Sequence, residues 1–292
     1  MKDMLHEMGH ELIHVLEDNV KLIPFLFITY LVMELIEHKT STKSRLAIQR
    51  AGYAGPVVGS LLGVVPQCGF SASAASLYAG KLLTKGTLIA VFLSTSDEML
   101  PIFLSEKVAL PTIFKILGTK VLIALVAGLL IDIIFKNKEH MKEPNAIHSV
   151  CEHEHCECEK KGVLLSSCIH TVQIFVFIVI ISFILHLLIH TIGEDTIASF
   201  VLNKPVLGSL VAGIVGMIPN CASSVVLTQL YVEGIISVGT MMSGLLAGAG
   251  VGILVLLKLN QSVKDSLKVL GLLYGIGVVS GIAIDVIFPV IF

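Results

Sequence analysis

The chain has 292 residues, of which 54% are hydrophobic and 14% charged, and its mean hydropathy is +0.89. Soluble domains have about 25% charged residues, so this composition excludes an ordinary soluble fold. The net charge of −2, without a basic stripe, excludes nucleic acid as a partner. A bilayer span needs about 20 residues, so the long apolar runs predict an all-α polytopic membrane protein with about ten transmembrane segments.

The order of polar and apolar stretches predicts four regions. Residues 1–19 form an external, amphipathic segment rich in histidine and acid, which does not resemble a signal peptide, so we expect insertion without cleavage. Residues 20–135 form a first membrane repeat, and residues 166–292 form a second. Residues 136–165 form a linker rich in Cys, His and Glu. The loop 38–50 is basic and therefore cytoplasmic, which places the linker inside and both termini outside.

The apolar stretch 52–79 is interrupted at Pro66–Ser71, and its two arms are each too short to cross a bilayer. We therefore predict a re-entrant hairpin, with a second hairpin around residues 219–224. We expect each second arm to begin at the serines and to point its N-H groups into a shared central site. An alternative is that the small residues only allow close helix packing. The candidate binding residues of the two tips are Gln67, Cys68, Ser71, Asn220, Cys221, Ser223 and Ser224.

An internal duplication relates the two membrane regions. Pro66 and Cys68 recur as Pro219 and Cys221 at a spacing of 153 residues, which pairs further glycines, serines and lysines without a gap. An odd number of segments per repeat predicts that the second copy is inverted. The loop charges agree, because the equivalent of the basic loop 38–50 is an acidic loop at 191–203. Inverted repeats are typical of transporters.

Asp97 and Glu98 lie midway through an apolar span beside Ser94 and Ser96. An acid inside a membrane helix is a functional candidate, so we assign these residues to cation binding or proton coupling. A displaced helix end is the alternative. The equivalent stretch, 247–251, has no acid but is rich in glycine, and we expect both helices to be unwound there. The repeat mates Asp132 and Asp285 cap or gate at opposite interfaces. The alternative is a structural salt bridge or a solvated helix end.

Thiols and imidazoles suggest metal binding at three places. Cys68 and Cys221 are either soft-metal ligands or small fillers. The linker cluster favours zinc or copper(I), although a disordered spacer is the alternative. The N-terminal histidines share one helix face, where they either chelate a divalent ion or are solvated on an interfacial helix. These two clusters consist of Cys151, His153, His155, Cys156 and Cys158, and of His6, His10 and His14.

The paired motifs at 66–69 and 219–221, the segment 94–98 and the linker between five-segment halves resemble the ten-transmembrane heavy-metal exporters over essentially the whole chain. That group is similar to the arsenic efflux permeases, and members are also labelled manganese transporters. The resemblance implies efflux of a metal or metalloid. The arsenic permeases carry a paired-cysteine motif, whereas each repeat here carries one cysteine.

We therefore expect a secondary transporter in the cytoplasmic membrane that exports manganese, zinc, iron or an arsenite-like metalloid by alternating access, with protons as the coupling ion. No cofactor is expected beyond the cargo, and the ligand set leaves the metal open. A homodimer is a possible assembly. The alternatives are a carrier of an anionic or neutral organic solute, and a metal sensor or scaffold. An enzyme is disfavoured, because no nucleophile with a base and an orienting group can be assembled.

Overall fold

The computed structural model describes residues 54–64, 68–96, 99–135, 163–192 and 205–287, together with Val20, Ile23, Pro24, Phe27, Ile28, Tyr30 and Leu31 of the first span. These residues form helices and turns and contain no strand, which confirms the all-α fold class. In chain order the helices are α1 (Gly55–Leu62), α2 (Cys68–Ala79), α3 (Lys85–Ser94), α4 (Met99–Ser105), α5 (Leu110–Phe135), α6 (Val163–Ile192), α7 (Pro205–Gly216), α8 (Cys221–Val232), α9 (Val238–Ala247), α10 (Val251–Leu259) and α11 (Val263–Ile287).

Four stretches of the described chain are long and apolar enough to cross a membrane. Two of them are unbroken helices, α5 and α11. The other two, Lys85–Ser105 and Val238–Leu259, each consist of two shorter helices in series. The protein is therefore a multi-pass membrane protein.

The helices of the two halves correspond one to one at the spacing seen in the sequence. Helices α2 and α8 begin 153 residues apart, as do α3 and α9, and α5 and α11. Packing follows the same scheme, since α3 packs on α1 and α5 while α9 packs on α7 and α11. The duplication thus extends to the arrangement of helices within each half, while the inversion of one half stays a prediction.

The broken spans lie in the centre of the molecule and the unbroken ones at its edge. In the most apolar 18-residue stretch of each span, the share that is buried inside the molecule is 75% for Lys85–Ser105 and 83% for Val238–Leu259. The corresponding share is only 28% for α5 and for α11. Helices α5 and α11 instead expose large apolar side chains such as Phe114 and Val286. Since lipid is the solvent for such a surface, α5 and α11 present their outer faces to the bilayer.

Contacts between the halves are reciprocal. Helix α2 of the first half packs against α10 of the second, while α8 of the second packs against α4 of the first, and α3 and α9 meet in the middle. Glycines permit the closest helix approaches, as small residues do in membranes. A Cβ added at Gly86 of α3 would lie 2.2 Å from the carbonyl oxygen of Gly128, and one at Gly239 of α9 would lie 2.2 Å from that of Gly281.

Candidate functional site

Two interruptions of the central spans define the candidate site. Helix α3 ends at Ser94, Thr95 adopts extended backbone angles (φ −54°, ψ 127°), and α4 begins at Met99. Helix α9 ends at Ala247, and α10 begins after Gly250, whose φ of +49° favours glycine. Both breaks fall where the sequence changes from apolar residues to Ser, Thr and Asp or to alternating Gly. This confirms the prediction that both helices are interrupted there.

The hydroxyl groups of the first break are buried and hydrogen-bonded. Ser94 is fully buried, and its Oγ donates to the carbonyl oxygen of Ala90 at 2.8 Å. Thr95 Oγ1 donates to Val91 O at 2.7 Å, and Ser96 Oγ donates to Val64 O at 2.6 Å, just beyond α1. Each hydroxyl oxygen therefore keeps acceptor capacity in a site shielded from solvent.

Lys120 brings the two breaks together. It lies in the middle of α5, its side chain has no solvent exposure, and its Nζ donates to the carbonyl oxygen of Thr95 and, at 3.3 Å, to that of Leu245. Thr95 follows the end of α3, and Leu245 is in the last turn of α9, where carbonyl groups lack partners within the helix. One ammonium group thus satisfies both helix ends.

Sequence reasoning missed Lys120, although a signal existed. A lysine nine residues beyond Pro111 in an apolar run is an intramembrane charge, which is by default a functional candidate. Its partners could not be read from the sequence, because Leu245 lies 125 residues away.

The second arms of the two predicted hairpins begin earlier than the sequence suggested. Helices α2 and α8 begin at Cys68 and Cys221, so the prediction that they begin at the serines is wrong by three residues. Neither first turn contains proline, and a first helical turn tolerates glycine and serine, so the helix extends back to the cysteines. Ser71 and Ser224 therefore lie at the end of the first turn.

The tip residues occupy different surroundings. Ser71 is fully buried against the start of α10, since a Cβ at Gly252 would lie 2.8 Å from Ser71 Cβ. Ser223 Oγ donates to Asn220 O at 2.8 Å and to Ile218 O at 3.3 Å, which closes the turn before α8. Asn220 and Ser224 are partly buried. Ser71 thus lies close to the second break, because Gly252 is only two residues after Gly250, where that break ends.

Several candidate residues lie outside the described part of the chain. These are Gln67, Asp97 and Glu98, the side chains of Cys68 and Cys221, the linker residues Cys151, His153, His155, Cys156 and Cys158, and the N-terminal His6, His10 and His14. Within the described residues, no group of three or more His, Cys, Asp or Glu side chains is placed to hold a metal ion. The structure therefore brings together Ser94, Ser96, both helix ends and Lys120, with Ser71 nearby.

Asp132 and Asp285 are helix caps in the described structure. Asp132 accepts hydrogen bonds from Gly86 N at 2.8 Å and from Thr84 Oγ1 at 2.7 Å, at the start of α3. Asp285 accepts from Gly239 N at 2.9 Å and from Ser237 Oγ at 2.6 Å, at the start of α9. A carboxylate at a helix N-terminus is favoured by the helix dipole. The capping alternative is thus confirmed for both residues.

A family model described as "Putative, 10TM heavy-metal exporter" matches residues 9–192. The chain belongs to this family. The matched region ends at the last residue of α6, so it covers the first half from residue 9, the linker and the first helix of the second half. This is less than the whole-chain resemblance indicated by the motifs. Searches of curated proteins and of solved structures found no significant match. Heavy-metal exporters are membrane transporters, and this description supports the expectation of transport over catalysis.

Proposed function

We propose that the protein is a secondary transporter that exports a transition-metal ion, such as manganese, zinc or iron(II), or a metalloid such as arsenite, across the cytoplasmic membrane in exchange for protons. The observation that carries this proposal is the pair of buried helix breaks joined by Lys120. Non-helical backbone at membrane depth occurs where it is buried in protein or lines a cavity. In many transporters it marks the substrate and ion sites.

The arrangement of the two halves supports alternating access. The central spans Lys85–Ser105 and Val238–Leu259 are equivalent by sequence, and each packs on an arm of the other half. With inverted halves, a rocking motion would expose the breaks to one side of the membrane and then to the other. In this proposal the linker 136–165 is cytoplasmic and its thiols and imidazoles collect the ion before transport.

The ligands proposed for the ion come from three chain segments. Asp97 and Glu98 supply carboxylates beside the break after α3, and Cys68 and Cys221 supply thiols at the starts of α2 and α8. Hard oxygen ligands suit manganese, whereas thiolates suit zinc and softer ions. Neutral oxygen ligands complete the set, and the residues proposed for them are Gln67, Ser71, Ser94, Ser96, Asn220, Ser223 and Ser224.

A transport assay tests this function. Purified protein in proteoliposomes with a pH gradient is supplied with manganese, zinc, iron(II) and arsenite in parallel, and gradient-dependent flux of at least one of them is expected. Asp97→Asn should abolish that flux. Glu106→Gln is the matched control, because Glu106 is an exposed acid in the turn after α4 and should leave flux unchanged. Lack of flux of all four substrates contradicts the proposal.

A second candidate function is a carrier of an anionic organic solute. It is favoured by the positive charge of Lys120 between the two breaks and by the positive ends of the helix dipoles at the starts of α2 and α8. The two functions differ in their dependence on the thiols. Flux of an organic acid that is unaffected by Cys68→Ser and Cys221→Ser, with no metal flux, would support this candidate over metal export.

A further inference from the structure

The Lys120 ammonium group is bound by carbonyl oxygens at two helix C-terminal ends, which is the kind of site where transporters with broken helices bind cations. The C-terminal ends of helices carry partial negative charge on unpaired carbonyl groups. In such transporters, half-helix ends and unwound carbonyl groups coordinate the coupling ion. Here the oxygens of Thr95 and Leu245, from two helix ends in different halves, bind a side-chain cation.

The charge of this tethered cation can be removed. Lysine, unlike arginine, can lose its proton inside a protein. The neutral amine that remains attracts the two carbonyl oxygens far less, and it offers a nitrogen lone pair in place of a positive charge. Deprotonation would therefore turn a filled cation position into an empty one lined by neutral donors.

We propose that Lys120 carries the proton that the transported metal ion replaces. When Lys120 is protonated, its ammonium group holds the carbonyl oxygens of Thr95 and Leu245 and repels the metal ion. When the metal ion enters, Lys120 releases one proton to the aqueous side that the site then faces, and the amine becomes neutral. This inference rests on the proposed function and assigns its coupling step to a residue outside the acidic pair at 97 and 98.

The charged groups around Lys120 are few in the described structure. Helices α1, α4 and α9 contain no ionisable side chain in their described residues, and α3 contains only Lys85, at its opposite end. Helix α5 itself adds Lys115 and Asp132, and Asp132 is held at the start of α3. Asp97 and Glu98 follow Thr95 in sequence and lie outside the described residues. Among the described residues, the metal ion would therefore compete with one ammonium group. The acids nearest in sequence to its partner Thr95 are Asp97 and Glu98.

The buried lysine is present in only one of the two repeats. The residue equivalent to Lys120 in the second repeat is Leu273, a fully buried apolar residue of α11. The breaks are thus duplicated, while the ammonium group that joins them is single. This arrangement provides one exchangeable proton at Lys120.

Proton release on metal binding is the direct test. Mn²⁺ is added to the purified full-length chain in weakly buffered detergent solution with a pH indicator, and the protons released per bound ion are counted, with Zn²⁺ in a parallel series. The unaltered protein should release about one proton more per bound ion than Lys120→Met, because metal binding displaces protons from its ligands and neighbours. Lys115→Met, which changes an exposed lysine of the same helix, should behave like the unaltered protein.

A second variant separates proton exchange from a purely structural cap. Lys120→Gln has no ionisable group but can still donate hydrogen bonds to both carbonyl oxygens. If Lys120 only caps the helix ends, Lys120→Gln will release as many protons as the unaltered protein, and the proposal is overturned. If Lys120 carries the proton, Lys120→Gln will match Lys120→Met, and in proteoliposomes it will pass Mn²⁺ down its gradient without response to a pH gradient.

The outcomes also distinguish this inference from the function on which it rests. Metal flux in the unaltered protein with equal proton release in all variants overturns the role of Lys120 alone. Proton release that depends on Lys120, without flux of any metal, overturns metal transport but supports proton exchange at this position. Lack of proton release from the unaltered protein on binding of either ion overturns the inference even if neither Lys120 variant folds.

Discussion

Lys85 and Asp265 join the two halves of the molecule through an ion pair of 2.8 Å between Nζ and Oδ1. Lys85 is the first residue of α3, and Asp265 lies in the first turn of α11. Asp265 Oδ2 also accepts hydrogen bonds from Tyr78 Oη at 2.6 Å and from Asn260 Nδ2 at 3.1 Å. The equivalent positions of the other repeat, Val238 and Thr112, cannot form an ion pair. An ion pair therefore joins the two halves at Lys85 and Asp265 but not at the equivalent pair of positions.

Asp265→Asn should destabilise the protein. It leaves the nearly buried Lys85 without its countercharge, and breaking such a pair by changing one partner costs about 3 kcal/mol. The midpoint of unfolding in detergent should fall accordingly. Lys264→Gln, which changes an exposed neighbour, serves as the control. The double change Lys85→Val with Asp265→Thr copies the other repeat and should recover most of the loss, and an equally unstable double variant would contradict this explanation.

The two capping aspartates should contribute equally to stability. Asp132→Ala and Asp285→Ala each remove two hydrogen bonds to a helix start, and we expect each to lower the free energy of unfolding by about 1–2 kcal/mol. Asn at either position keeps one acceptor oxygen and should have the smaller effect. Glu233→Ala, at an exposed turn, provides the baseline. Unequal losses at the two aspartates would show that the caps are not equivalent.

Replacing glycine by alanine should reduce stability where two helices are in close contact and should not reduce it at an open position. Gly86→Ala places a methyl group 2.2 Å from the Gly128 carbonyl oxygen, so α3 and α5 would have to move apart. A methyl group added by Gly118→Ala, in α5, meets no atom within 4 Å, so this variant should stabilise the helix by up to about 1 kcal/mol. Yield of folded protein and thermal stability in detergent measure both changes. Similar behaviour of the two variants would argue against the close contact.

The linker thiols should affect metal binding without affecting transport. Changing Cys151, Cys156 and Cys158 to serine removes the proposed cytoplasmic ligands, so fewer Zn²⁺ ions should bind per chain at equilibrium. The flux of Mn²⁺ at saturating concentration should be unchanged, because the proposed transport site lies at the helix breaks. Loss of flux in this triple variant would instead place the linker in the transport path.

The sequence predicts the helix breaks because their cause is local. Alternating Gly at 248 and 250 and the polar run from Ser94 weaken a helix wherever they occur. The starts of α2 and α8 were misplaced by three residues, since cysteine, glycine and serine tolerate both a turn and a first helical turn. Local composition therefore places a break within a few residues but does not fix the helix end.

The contacts of Lys120 and Asp265 could not be predicted in the same way. Each depends on helices that are distant in the chain, as the separation of 187 residues between Tyr78 and Asp265 illustrates. The constant spacing of the repeat predicts which residues are equivalent. It does not predict where equivalence is lost, and both of these charges lie at positions where the two repeats differ.

The exchange of arms between the halves has a consequence for biosynthesis. Helix α2 leaves the ribosome long before α10, the helix on which it packs, because most of the remaining chain lies between them. At synthesis rates of 5–20 residues per second, this wait is on the order of ten seconds. During that time the short arm, with its fully buried Ser71 and Ser76, has no native partner on one face. We therefore expect this face of the arm to be covered by lipid or by the insertion machinery until the second half is synthesised.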